Sequence, residues 1–256
     1  MAGGSNTEKI LGLIGYPLSH SFSEKYFTEK FRKEGIGDFY YRNFPIQEIG
    51  SLISLIQDEP GLVGLNVTIP YKEQVIEYLD DIDDEAREVG AVNTILISRD
   101  SGKVFLKGFN TDVYGFRESL YPLLQGQHKN ALVLGTGGAS KAICHVLDQM
   151  GIAFQYVSRT YKPGHLEYKD LCLSIIRNST LIINTTPLGT YPDVSKFPDI
   201  PYDILGAEHL LYDLVYNPPE TAFLRLGKQK GAAVKNGLEM LELQADRSWE
   251  IWTGKD

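Results

Sequence analysis

Apolar and polar positions follow two regimes along this chain. From Tyr114 onward, short continuous apolar runs at 131–134, 153–157, Leu181–Asn184, Leu210–Leu214 and Ala232–Val234 alternate with segments of helical period at 114–124, 138–150, 166–176 and 220–228. In 138–150 the apolar positions Ala139, Ala142, Ile143, Val146, Leu147 and Met150 share one helical face. Continuous apolar strands alternating with amphipathic helices predict a parallel sheet covered on both faces. A Pro-rich stretch from Thr186 to Pro201 predicts a loop over the carboxyl edge of that sheet.

Before Tyr114 the pattern is more varied. Ile10–Ile14 reads as a strand, and Ser23–Gly35 as a helix with Tyr26, Phe27 and Phe31 on one face. Phe39–Phe44 and Leu62–Ile69 read as strands, and Ile46–Ile56 and Lys72–Leu79 as helices. Val92–Ser98 and Val104–Phe109 form a predicted hairpin about Asp100-Ser101-Gly102. At the other end, Leu238, Leu241, Ala245, Trp249 and Trp252 sit at helical spacing; periodicity alone leaves open which domain that helix joins. The expected fold class is α/β with two domains: an N-terminal α/β domain and a C-terminal Rossmann-like, doubly wound parallel sheet.

The most informative stretch is ALVLGTGGASKAICHVLDQMGIAFQYVSRT, residues 131–160. Strand, glycine turn, helix and strand follow in the order of a dinucleotide-binding βαβ unit. Gly135, Gly137 and Gly138 let backbone N–H groups approach a pyrophosphate, and the helix starting near Ala139 directs its positive end at the phosphate charge. NAD sites carry an acid at the end of the second strand, roughly 20 residues on, to hold the ribose 2′-hydroxyl. Here that region offers Ser158, Arg159 and Thr160. A guanidinium suits a 2′-phosphate, so NADP is favoured over NAD. The bland alternative is a structural βα turn.

Bulk numbers exclude several function classes. The 256 residues carry a net charge of −8 with no long basic run, which disfavours a nucleic-acid or anionic-membrane surface but not a small anionic ligand in a local positive pocket. Cys144 and Cys172 lack metal-ligand spacing, and Cys144 reads as a core residue. No metal is expected. The start MAGGSNTEKI lacks the charged and apolar regions of a secretory signal, and no apolar run approaches membrane-spanning length, so the expected location is cytoplasmic.

Four polar clusters mark strand ends in the first half: His20-Ser21-Phe22-Ser23, Asn66 through Lys72, Gly90-Ala91-Val92-Asn93-Thr94, and Asn110-Thr111-Asp112. Each has a structural reading. Ser21 or Ser23 caps the next helix, Asn93 serves a turn, Asp112 caps a helix near Val113, and Lys72 is a solvated first-turn lysine. Ligands of α/β proteins bind beyond the carboxyl ends of strands, so such clusters suit a polyhydroxylated small molecule.

With these clusters, the run Gly15-Tyr16-Pro17-Leu18-Ser19-His20-Ser21-Phe22-Ser23, the turn Gly135 through Ser140, and Gly237 through Ala245, the chain resembles the shikimate dehydrogenase family over almost its full length. The resemblance implies NADPH-dependent reduction of 3-dehydroshikimate to shikimate. Ser21 and Ser23 would bind the substrate carboxylate. Thr68, Asn93 and Gln244 would hydrogen-bond ring hydroxyls, and Tyr216 would contact substrate from the other domain. Lys72 and Asp112 would form the catalytic pair. Gly135, Gly137, Gly138, Ala139, Ser158, Arg159, Thr160 and Gly237 would hold the cofactor. The family pattern after the second strand is Asn-Arg-Thr; here Ser158 replaces the amide, and Lys162 is the nearest further basic residue. The domains implied are 1–112 with 238–256 returning to it, and 113–237. A monomer or homodimer is expected. A quinate/shikimate dehydrogenase using NAD or NADP, and a non-catalytic NADP-binding sensor on the same fold, are the alternatives.

Overall fold

In the computed structural model of the chain, β1 (Lys9–Gly15) is flanked on both sides by parallel neighbours, β2 (Phe39–Pro45) and β3 (Leu62–Val67). The structure describes residues 8–18 and 22–255. These fall into two units, Met1–Thr111 with Ala245–Asp256, and Asp112–Gln244.

The first unit holds a mixed sheet of six strands in the order β2-β1-β3-β5-β6-β4, with β4 at Asp81–Ile82, β5 at Thr94–Asp100 and β6 at Lys103–Phe109. β3, β5 and β6 run antiparallel to one another in turn. The β5–β6 hairpin closes on Ser101 and Gly102, both at positive φ, as a two-residue primed turn requires. Period-2 alternation sorts β1 onto two cores. Ile14 joins Leu52 and Ile56 of α2 (Leu52–Asp58) on one face. On the other, Leu11 and Leu13 meet Phe27 and Phe31 of α1 (Phe22–Glu34). α8 (Leu238–Thr253) completes the second core with Ala245, Trp249 and Trp252. Trp249 packs 4.8 Å from Phe39 and Trp252 5.5 Å from Phe27, ring centre to ring centre. The Trp252 indole N–H donates to the Ile95 carbonyl at 2.9 Å. Burying each such aromatic stabilises by about 1.5–3 kcal/mol.

The second unit is a wholly parallel sheet in the order β12-β11-β10-β7-β8-β9. Its strands are β7 (Asn130–Leu134), β8 (Ala153–Ser158), β9 (Leu166–Glu167), β10 (Leu181–Asn184), β11 (Leu210–Asp213) and β12 (Ala233–Lys235). α4 (Thr111–Leu120) leads into β7, and α5 (Gly138–Gln149), α6 (Leu173–Asn178) and α7 (Ala222–Gln229) lie in the connections between strands. The strand order reverses between β7 and β10, the doubly wound arrangement.

Three expectations differ from the structure. Lys72–Leu79 is not an α-helix: only Gln74–Tyr78 coils, as a 3-10 turn. The chain leaves it because Asp80 bonds to β6 through both its N–H (to the Leu106 carbonyl, 3.0 Å) and its carboxylate (from the Leu106 N–H, 2.8 Å). Helix 166–176 shrinks to α6, because Leu166 and Glu167 pair with Val157 and Ser158 instead. Ile46–Ile56 starts late, with a 3-10 turn at Ile49–Ser51 where Gly50 weakens the first turn. The sequence reading also omitted α3 (Asp84–Val89), whose start is capped by Asp83 accepting the Glu85 N–H at 3.1 Å. Among the described residues no helix is long and apolar enough to cross a membrane, and no His, Cys, Asp and Glu group could hold a metal ion.

Candidate active site

In the first unit the predicted ligand residues Thr68, Lys72 and Asn93 gather at one sheet edge. β1 and β3 both end there, and antiparallel β5 begins there, so Asn66 of β3 faces Thr94 of β5. The Val67 N–H donates to the Asn93 carbonyl at 2.8 Å, the Thr68 N–H to Ile14 at 2.9 Å, and the Val92 N–H to the Lys72 carbonyl at 2.7 Å. Gly15 lacks a Cβ because one there would collide with the Thr68 side chain. Thr68 and Lys72 are half-buried, and Asn93 is buried.

Behind Asn93 lies a buried polar network. The Thr111 N–H donates to Asn93 Oδ1 at 2.7 Å, and Asn93 Nδ2 donates to Thr111 Oγ1 at 3.0 Å. Thr94 and Thr111 hydroxyls lie 2.9 and 3.1 Å from Ser248 Oγ. Asn66 Nδ2 reaches the same Ser248 oxygen at 3.1 Å, while Asn66 Oδ1 accepts from the Tyr41 hydroxyl at 2.7 Å. The Ser23 hydroxyl in turn hydrogen-bonds Tyr41, whose phenol is pushed up mainly by burial. A half-satisfied network this deep is costly; a filled one fixes its members. The sequence motifs contain Asn66 and Thr111 but assign them no role, and Tyr41 and Ser248 fall outside those motifs. A polar Asn inside the apolar run Leu62–Ile69 was the available signal for Asn66; nothing local marks Ser248.

Ser23 lies in the first turn of α1 and is half-buried. Ser21 lies outside the described residues. Asp112 follows Thr111 directly in the first turn of α4 and is buried. Gln244 is buried in α8, its Nε2 donating to the Leu241 carbonyl at 3.0 Å. Tyr216 is half-buried just after β11, and burial pushes its phenol up.

The second unit carries the glycine turn. Gly135 ends β7 with φ +109°, and a Cβ there would lie 2.8 Å from Thr185 Oγ1. Gly137 caps α5 with no side-chain bond to the helix start, and a Cβ there would meet nothing. The turn therefore presents an uncapped helix N-terminus beside open space, which fits an anionic pyrophosphate. Gly138 and Ala139 form the first turn of α5. Arg159 and Thr160 are exposed just past β8, and Ser158 is buried at its end. The Lys162 ammonium donates to Thr136 Oγ1 at 2.8 Å, bringing a second cation to the turn. One carboxylate does approach this corner: Glu167 pairs with Ser158 across β8 and β9, with its side chain 2.8 Å from Lys169. Gly237 is buried against the Leu214 carbonyl, with which a Cβ would collide.

A doubly wound parallel sheet with a glycine turn and a basic β8 end, preceded by a unit that gathers Thr, Lys and Asn at a strand edge, defines the class of nicotinamide-dinucleotide oxidoreductases with a separate substrate unit. A family model described as the shikimate dehydrogenase substrate binding domain matches residues 13–95. A "shikimate dehydrogenase (NADP(+))" of Clostridium beijerinckii is 41% identical over 254 residues, covering 95% of this chain and 92% of the relative. The shikimate 5-dehydrogenase of Thermus thermophilus, solved with NADP(H) and shikimate, is 31% identical with a TM-score of 0.82, covering 96% of this chain and 94% of the other. That of Listeria monocytogenes, solved with shikimate and NAD, is 27% identical with a TM-score of 0.83, covering 100% and 95%. The chain belongs to the shikimate dehydrogenase family.

Proposed function

We propose that this protein interconverts 3-dehydroshikimate and shikimate with NADP as the redox cofactor. The observation that carries the reading is the Thr111–Asn93 pair. It fixes an amide beside Thr68 and Lys72 at a strand edge, in a chain whose relative is a "shikimate dehydrogenase (NADP(+))" over nearly its full length.

When bound, NADPH supplies hydride to the ring ketone. Charge develops on the ketone oxygen, and Lys72 stabilises it there and supplies the proton. Asp112 completes the catalytic pair with Lys72 as its proton partner. Ser21 and Ser23 hold the substrate carboxylate. Thr68, Asn93 and Gln244 bind ring hydroxyls, each of which needs a partner once removed from water. Tyr216 is a further substrate contact. The turn at Gly135, Gly137, Gly138 and Ala139 holds the pyrophosphate. Arg159 holds the 2′-phosphate, with Ser158 and Thr160 beside it, and Gly237 seats the chain that leads into α8. The protein is cytoplasmic and acts as a monomer or homodimer.

The first test follows NADPH absorbance with 3-dehydroshikimate, beside NADP and NAD reduction by shikimate and by quinate. NADP-selective turnover on shikimate is the expected result. Turnover with quinate or NAD moves the assignment to a broader quinate/shikimate dehydrogenase. Glu167 beside Ser158, and the NAD bound in the Listeria structure, are the observations that keep NAD in that comparison. Cofactor binding without turnover points to a sensor.

A further inference from the structure

Asp213 takes no part in the chemistry proposed for Lys72 and Asp112, yet it is fully buried at the carboxyl end of β11. Its Oδ1 accepts from Asn184 Nδ2 at 2.9 Å and from the Val215 N–H at 3.0 Å; its Oδ2 accepts from Thr221 Oγ1 at 2.6 Å. Burial pushes its pKa up to about 6 against the pull of these donors, so it is ionised at pH 8. All three donors are neutral. They hold the charge in place and leave its field uncancelled.

The position of that charge matters. A dinucleotide on a doubly wound sheet lies across the strand carboxyl ends at the point where the order reverses. Here the reversal falls between β7 and β10. The glycine turn ends β7 and Arg159 follows β8, so the adenosine half belongs on the β8 side. The nicotinamide half then belongs on the β10–β11 side, where Asn184 ends β10 and Asp213 ends β11. The nicotinamide ring is cationic when oxidised and neutral when reduced. A carboxylate in a low-dielectric interior acts on the first and much less on the second.

We propose that the Asp213 carboxylate biases the dinucleotide site toward the oxidised, cationic ring and so sets the ratio of affinities for NADP+ and NADPH. This rests on the NADP reading above. Asp213 is a positioning charge here and touches no reacting atom.

Dissociation constants for NADP+ and for NADPH, measured separately at pH 8 by protein fluorescence or calorimetry without substrate, test it. In Asp213→Asn the ratio Kd(NADP+)/Kd(NADPH) rises by about five-fold or more, the order expected when one charge is removed from an interior of intermediate dielectric. Asp213→Ser removes the same charge and gives the same shift, which covers a fold that does not accept Asn. Asp213→Glu keeps the charge, so its ratio stays within about two-fold of the wild type even where both affinities fall. Neutral variants that weaken both cofactors equally, or leave the ratio unchanged, overturn the proposal. A wild-type protein that binds neither cofactor overturns instead the NADP reading on which it rests.

Discussion

The Thr111 backbone N–H donates to Asn93 Oδ1 at 2.7 Å, and this contact orients the Asn93 amide. A backbone N–H is only a donor, so the oxygen must face Thr111 and the Nδ2 group is committed to giving hydrogen bonds. The residue that fixes Asn93 is also the one directly before Asp112 in the chain. One short segment therefore sets a predicted hydroxyl ligand and starts the helix that bears a predicted catalytic carboxylate.

Asn93→Asp separates these duties. The acceptor toward Thr111 survives and the donor is lost. The KM for shikimate should rise at least about ten-fold, the order of one lost buried hydrogen bond, with Kd for NADP unchanged. Steady-state kinetics beside direct cofactor titration checks it. A parallel loss of NADP affinity would point to general disruption and remove the ligand role.

Arg159 stands exposed just past β8 with Lys162 close to the glycine turn. Arg159→Ala should raise the KM for NADPH by about ten-fold or more, since hydrogen bonds to charged groups contribute about 1.5–3 kcal/mol. The KM for NADH should change little. An equal loss with both cofactors removes the 2′-phosphate assignment.

What the sequence disclosed about the site was what neighbouring residues decide. The glycine turn, the strands about it and the exposed Arg159 lie within one βαβ unit, so pattern and spacing sufficed. The periodicity of Lys72–Leu79 predicts a helix that does not form, because Asp80 is drawn away by Leu106, 26 residues further along. Glu167 has a helical pattern in the sequence yet forms a strand, because its partner, Ser158, lies in the neighbouring strand of the sheet. Ser248 reaches Thr111 across 137 positions, and Asn184 reaches Asp213 across 29. Propensity carries no record of such pairings, and tertiary contact overrides it where they form.

Gly64 shows the same limit in the core. A Cβ there would collide with the Trp252 indole, so the terminal helix depends on a missing side chain in β3. Gly64→Ala should cost about 1–3 kcal/mol by overpacking, read as a fall in Tm. Gly37, where a Cβ would meet nothing, supplies the control: Gly37→Ala should leave Tm nearly unchanged. Equal Tm for the two variants would mean that Trp252 yields freely.

Asp213 also ties stability to pH. Its folded pKa, about 6, lies above the ordinary carboxyl value of 3.8. The folded state therefore binds this proton more tightly than the unfolded chain does. That preference is fully present below 3.8 and is lost as pH rises through 6, an effect of at most about 3 kcal/mol. Asp213→Asn does not titrate. The Tm of the variant minus that of the wild type should therefore increase from pH 5 to pH 8. A pH-independent difference would show that the three donors hold the carboxylate at its ordinary pKa.

Lys72 is the residue proposed to carry the chemical step. Its backbone carbonyl is tied to Val92, one residue before Asn93, so the lysine is anchored to the same edge as the predicted hydroxyl ligands. An ammonium beside the ketone oxygen acts on charge that exists only as hydride arrives, so its loss belongs in kcat rather than in substrate binding. Lys72→Met keeps the aliphatic stem and removes the cation. It should lower kcat by about 10²–10⁴-fold, the usual range for a positioned general acid, and change KM several-fold at most. Lys72→Arg restores the charge in a planar fork whose pKa is too high for ready proton transfer, so it should recover little turnover. On the proposed catalytic pair, Asp112→Asn should lie between wild type and Lys72→Met, since the lysine itself is kept. A Lys72→Met enzyme with near-normal kcat would return Lys72 to the structural lysines and leave the proton to another group.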